Sequence, residues 1–270
     1  MVYSGGRDEP APSYEVTSVR KALQILCAFT PHTPTWTLSA LSRSLRIPKS
    51  TAHNLLRTLE SFGCISQNPH DKRYTLGPKI RELSLVFSST SELLSKAMPV
   101  LRRLCEQTRE TVKLAIPSEG QVLVVGAIES THQLHTRGDV GGRWPLHSTS
   151  LGKAILASMP PAEVRQLLGR RRLQPFTERT ITTLPKLEAA LGEIRDRGYA
   201  LDWEENEPGV HCIAAAVTGA AGETVGAISI SGPAVRISKQ TVPVLAARVT
   251  EAARTISNSF ISVERRAAGA

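Results

Sequence analysis

No stretch of this chain is apolar for long enough to cross a bilayer, which takes roughly 18 or more consecutive apolar residues, so no membrane span is expected in its 270 residues. The opening MVYSGGRDEPAPSYE lacks the apolar core of a secretory leader. It reads instead as a polar, Pro- and Gly-containing tail, disordered over residues 1–15. Cysteine is scarce: Cys27, Cys64, Cys105 and Cys212 are scattered with no C-x-x-C pair. That argues against a disulfide framework and for a reducing, cytoplasmic setting. A phosphate loop is missing too. Gly152-Lys153 is followed by Ala154 where Ser or Thr is needed, and the leading glycine is absent, so Lys153 reads as a surface or salt-bridging residue. No internal repeat is visible, and the length suits two domains of roughly 150 residues at most.

Acidic residues are nearly absent from one segment. Residues 16–77 hold eight basic side chains against Glu60 and Asp71, a net +6 out of a formal +9 for the whole chain. A cationic face of this kind attracts a phosphate backbone and gives binding that weakens with salt. In the same segment Leu38, Leu41 and Leu45 recur at helical spacing, as do Leu55, Leu56, Leu59 and Phe62. Ile47-Pro48 forms a turn between them. A second helix opens at Lys49 or Ser50 and ends at Gly63, which suits a left-handed cap. Short helix, tight turn and second helix make a DNA-reading motif whose second helix enters the major groove by its N-terminal end. The residues at that end are Lys49, Ser50, Thr51, His53 and Asn54, with Arg57 one turn on. All donate hydrogen bonds to phosphates or base edges, and none is acidic.

Short β-prone runs at residues 64–66 and 73–76 flank the turn-rich Gln67-Asn68-Pro69-His70-Asp71-Lys72. They form a wing tipped with Lys72 and Arg73. Upstream, Val19, Ala22, Leu23, Ile25 and Leu26 supply a third helix for the small core. Residues 16–77 are thus expected to be a winged helix-turn-helix domain and residues 78–95 a linker. In the linker, Pro78 opens a helix carrying Ile80, Leu83, Leu85 and Val86 towards Leu94, and another helix follows over residues 97–108. So many apolar residues imply packing on the same domain or on the matching helix of a second subunit, giving the dimer a helix-turn-helix requires.

Residues 96–265 have a different texture. Strands are expected at 112–116 and 121–128, joined by a Ser-Glu-Gly turn, and again at 199–203, 212–217 and 225–231. Helical patterns lie at 151–158, 162–168, 186–197 and 238–263. Strand pairs with helices grouped between and after them predict an antiparallel α+β domain, suited to a small ligand. The residues before the helix at 151, Ser148-Thr149-Ser150, point backbone N–H groups at its positive end, which favours a carboxylate. Ser229 and Ser231, two apart on a strand, share one sheet face.

The segments over residues 16–76, PLHSTSLGKAILA (145–157) and GYALDWEENEPGVHCIAAAV through GAISISGP (198–233) resemble an IclR-type transcriptional regulator, in the family's order and over nearly the whole chain. The resemblance implies a winged helix, a helical linker and a sensor domain of GAF or PAS-like shape, in dimers often paired into tetramers. It implies double-stranded operator DNA and a small organic acid as partners, with no cofactor and no membrane. By motif it places the effector site at Ser150, Leu151, Asp202, Cys212, Ser229 and Ser231. Two positions depart from the family pattern. Asn54 stands where Arg is common, which either shifts a guanine-reading contact towards adenine or leaves Asn54 on phosphate alone, and Leu151 is bulkier than the small residue that accompanies keto-acid effectors. The alternatives are a metal sensor built from His132, His135, His147, His211 and Cys212, and thiol chemistry at Cys212 with His211 and Asp202. Adjacent strand residues point to opposite faces, which disfavours the second and leaves a non-enzymatic regulator as the reading.

Overall fold

The computed structural model describes residues 16–30, 33–90, 92–169 and 172–267; the expected tail over residues 1–15 lies outside them. The chain divides into two compact units, the first ending at Thr90. In the first, α1 (Thr17–Cys27), α2 (Leu38–Leu45) and α3 (Lys49–Ser61) precede a hairpin of β1 (Ile65–Gln67) and β2 (Tyr74–Leu76), then α4 (Pro78–Thr90). Ile25, Leu41, Ile47, Ala52, Leu56, Ile65 and Tyr74 form its core. The Thr37 hydroxyl caps α2 by accepting from the Ala40 N–H at 3.2 Å. That helix stops one residue before the expected turn: Arg46 takes the left-handed conformation (φ 54°, ψ 39°) and its N–H closes the C-cap. Trp36 bridges to Tyr74 beside the hairpin, an isolated pairing that no sequence pattern marked. Val19 and Leu23, expected in this core, are instead more than half exposed, because the buried side of α1 is the one carrying Ile25.

The helix expected to run from Pro78 towards Leu94 is two helices. α4 ends at Thr90, and α5 (Glu92–Thr108) lies in the second unit, so Leu94 belongs to that unit's core. There β3 (Thr111–Ser118), β4 (Gln121–Ile128), β5 (Arg143–Pro145), β6 (Ala200–Trp203), β7 (Val210–Thr218) and β8 (Thr224–Pro233) form one sheet in the order β5-β4-β3-β8-β7-β6. Every neighbouring pair is antiparallel. Glu119 and Gly120 both take positive φ (52° and 74°), the primed turn that matches the twist of a tight hairpin. The edge strand β5, three residues ending in proline, carried too little pattern to predict.

Helices cover both sheet faces. Val112, Leu114, Ile213, Val217, Ile228 and Ile230 pack with Leu101 and Leu104 of α5 and with Val249 and Ile256 of α9 (Val242–Ala267). On the other face Ala115, Val122, Ala200, Ala214 and Ala227 meet α6 (Ser150–Ser158), α7 (Pro161–Leu168) and α8 (Leu184–Arg197). The loop after β5 folds tightly onto the first turn of α6 because Gly152 has no side chain: a Cβ there would stand 2.3 Å from the Leu146 carbonyl oxygen.

Candidate DNA-reading surface and effector site

α3 sorts its residues cleanly. Ala52 and Leu56 are buried, while Lys49, Ser50, His53, Asn54 and Arg57 are exposed and Thr51 is half-buried. The predicted reading residues therefore lie on the outer side and first turns of one helix, where the unsatisfied N–H groups of its N-terminus add positive potential. On the wing, Lys72 has a positive φ of 57° and is exposed. Arg73 is exposed as well, but its Nη1 donates to the Thr35 hydroxyl at 3.0 Å, and its backbone N–H donates to Asp71. Arg73 is thus braced by the loop before α2, while Lys72 is the freer cation of the two.

In the sensor unit, register explains how distant residues meet. Asp202 pairs with Cys212, Cys212 with Ser231, and Ser231 with Thr111. Directly opposed residues of antiparallel strands share a face, so these four side chains form one row across β6, β7, β8 and β3. The next row is Ala200, Ala214, Ser229 and Lys113. Alanines on the β6 and β7 side of that row are fully buried and pack in one cluster with α6. All six predicted effector residues lie at this place. Ser150 and Leu151 are in the first turn of α6, Leu151 with its side chain in the apolar cluster. The Ser229 and Ser231 hydroxyls lie 3.5 Å apart. Thr111 and Lys113 were not singled out in the sequence, because only the β3–β8 pairing brings them here.

The start of α6 is stitched to the β6–β7 loop. The Ser148 hydroxyl donates to Asn206 Oδ1 at 2.9 Å, and Thr149 caps the helix by accepting from the Gly152 N–H at 3.1 Å. Lys153 proves to be the salt-bridging residue: its ammonium donates to Glu205 Oε1, both side chains almost wholly buried. Glu205 Oε2 has no partner. Asp202 Oδ1 accepts from the Glu205 N–H at 2.8 Å and the Asn206 N–H at 3.4 Å. Burial pushes the Asp202 carboxyl from 3.8 up to about 7, against the opposing pull of Lys153 and these N–H groups. A cleft of about 160 Å³ lined by Val164, Arg165, Glu188 and Leu191, and a shallower groove of about 420 Å³ beside α9, include none of these residues.

Neither alternative chemistry finds its geometry. Burial, with Asp202 adding to it and Ser231 and Lys113 opposing, pushes the Cys212 thiol up to about 12, the reverse of what a nucleophile needs. His211 faces the α9 side, its Nδ1 donating to the Ile237 carbonyl at 2.7 Å and its ring edge-on to Trp203. Among the described residues no three His, Cys, Asp or Glu side chains converge as a metal site requires.

A three-helix domain with a basic, exposed helix, joined in sequence to a sheet domain with a buried polar patch, has the organisation of a DNA-binding regulator with its own sensor. The family model described as "IclR helix-turn-helix domain" matches residues 18–69, and that described as "Bacterial transcriptional regulator IclR C-terminal" matches residues 87–258. The chain belongs to the IclR family of transcriptional regulators. It is 36% identical over 233 residues to the HTH-type transcriptional regulator BhcR of Paracoccus denitrificans, covering 86% of this chain and 83% of that one. It is 30% identical to the transcriptional repressor IclR of Escherichia coli, over 91% and 90% of the two chains. A crystal structure of an IclR homolog from Microbacterium hydrocarbonoxydans complexed with 4-hydroxybenzoate superposes with a TM-score of 0.81 at 25% identity, over 91% of this chain and all of that one. The protein is accordingly a DNA-binding transcription regulator with an effector-binding domain, and not an enzyme.

Proposed function

We propose that this regulator is a cytoplasmic repressor that binds a palindromic operator as a dimer or tetramer and is modulated by a small organic acid in the sensor domain. The observation that carries the reading is the polar double row under the start of α6, buried polar groups in a chain whose other unit bears a basic helix-turn-helix. A relative of the same fold holding an aromatic hydroxy acid supports the effector class. In this reading residues 16–77 read DNA, 78–95 couple and 96–265 sense. Lys49, Ser50, Thr51, His53, Asn54 and Arg57 enter the major groove, while Lys72 and Arg73 meet phosphates or the minor groove. Apolar side chains exposed on α4 (Leu83 54%, Leu85 59%) and the stripe Val16, Val19 and Leu23 leading along α1 favour a second copy as their cover. Effector binding shifts the linker helices, changes the spacing of paired recognition helices and so weakens the fit to both half-sites.

The test is selection of genomic fragments by the purified protein across a salt series, followed by binding of Arg57→Ala and Asn54→Ala to the selected site. Enrichment of a palindrome that survives moderate salt is expected. Arg57→Ala weakens binding to all sequences, and Asn54→Ala relaxes preference at particular base pairs at a cost of about 1–3 kcal/mol. Weak, sequence-blind binding throughout refutes the operator reading, and a uniform loss with Asn54→Ala refutes its base-reading role.

A further inference from the structure

The wing between β1 and β2 is tied down at its base and at its tip. At the base, Glu60 Oε1 of α3 accepts from the Gln67 N–H at 3.0 Å. At the tip, the Asn68 side chain accepts from the His70 N–H at 2.9 Å, and its carbonyl accepts from the Lys72 N–H at 3.0 Å. Asp71 Oδ1 accepts from the Arg73 N–H at 3.0 Å. Glu60 and Asp71, the two acidic residues of the segment over residues 16–77, thus both hold wing backbone in place.

A third tie runs to the segment before α2. Trp36 and Tyr74 exchange backbone hydrogen bonds of 3.0 and 2.7 Å, and the Trp36 indole N–H donates to the Ala28 carbonyl at 2.9 Å. Carried one residue on, this antiparallel register sets Thr37 opposite Arg73 and places Thr35, Thr37 and Arg73 on one face. Thr37 caps α2, and Arg73 Nη1 reaches diagonally to the half-buried Thr35 hydroxyl at 3.0 Å. The guanidinium is therefore held beside the start of α2, the helix that crosses the DNA backbone in a helix-turn-helix. Thr35 is uncharged, so the bond leaves the cation intact. A guanidinium carries five N–H donors, and one bond to Thr35 leaves the others for phosphate oxygens.

We propose that Thr35 is a positioning residue for DNA binding: it aims the Arg73 guanidinium at a backbone phosphate beside the start of α2. The inference rests on the reading above in which the wing meets DNA, and it assigns Arg73 to phosphate where that reading leaves phosphate and minor groove open. An exposed arginine loses rotamer freedom when DNA fixes it. The Thr35 hydroxyl fixes part of that side chain in the free protein, so less freedom is lost on binding. A phosphate contact positions the protein without reading sequence, so the gain falls alike on every duplex.

The test measures binding of the full chain to the selected genomic fragment and to an unrelated duplex of equal length, across a salt series. The variants are Arg73→Ala, Thr35→Val, Thr35→Ser and the double variant Thr35→Val with Arg73→Ala. Arg73→Ala is expected to weaken binding to both duplexes about tenfold and to lower the salt slope by ~0.9, the loss of one phosphate contact. Thr35→Val keeps the shape and removes the hydroxyl. It weakens both duplexes about three- to tenfold when Arg73 is present and changes nothing when Arg73 is already alanine. Thr35→Ser, which keeps the hydroxyl, binds as the parent does. An equal loss from Thr35→Val with and without Arg73 overturns the proposal. So does a loss from Arg73→Ala confined to the selected fragment, or an Arg73→Ala protein that binds as tightly as the parent. In each of these cases a parent that holds the selected fragment leaves the DNA-binding reading standing. A parent that binds neither duplex removes that reading and the proposal together.

Discussion

Replacing Asp202 by Asn tests the electrostatics of the sensor most directly. The carboxyl is 4% exposed, and burial lifts it from 3.8 to about 7. Below pH 3.8 it is protonated in both folded and unfolded chains and has no effect. Between pH 3.8 and 7 the unfolded chain releases the proton and the folded chain keeps it, so folding stability falls as pH rises, by up to ~1.4 kcal/mol per pH unit. Above pH 7 both forms are ionised and the penalty levels off, with an upper limit on the order of 4 kcal/mol. Asn keeps an oxygen to accept from the Glu205 and Asn206 N–H groups and has no proton to lose. Urea unfolding is followed by tryptophan fluorescence, since Trp144 and Trp203 both lie in the second unit. Asp202→Asn is expected to differ little from the parent near pH 4, then to gain on it steadily to pH 8. A difference that stays constant from pH 4 to 8, or grows in the other direction, refutes a raised carboxyl at this position.

Two further predictions concern the helix that overlies the site. Lys153→Met strands the buried Glu205 carboxylate and is expected to cost about 3–5 kcal/mol in urea unfolding, most of it restored when Glu205→Leu is added; a double variant as unstable as the single one rules out the ion pair as the cause. Gly152→Ala places a methyl 2.3 Å from the Leu146 carbonyl, so a net loss of about 1–3 kcal/mol is expected even though alanine favours helix by ~1 kcal/mol, and any gain in melting temperature contradicts the close approach of α6.

Much of the fold was legible because its signals are local. The spacing of Leu41, Leu55, Leu56 and Leu59 set α2 and α3, the positive-φ pair Glu119-Gly120 sits where Ser-Glu-Gly was read as a turn, and the exposed side of α3 follows from helical period alone. Where the chain departed from expectation, competing geometry decided. Arg46 ended α2 in the left-handed region before Pro48 was reached. Leu94 belongs to the core of the second unit, where its side chain is part of the face of α5 that meets the sheet.

The sequence by itself determined the class of element at most positions and the charge of α3, since each depends on neighbours a few residues away. The tertiary structure decided which of these meet. β3 lies against β8 across more than a hundred residues of chain, and that one pairing sets Lys113 opposite Ser229 and Thr111 opposite Ser231. Helix packing likewise turned Lys153 inward to Glu205. Strand register and helix docking are fixed by burying both faces of one sheet at once, a condition on the whole domain that no local run of residues contains.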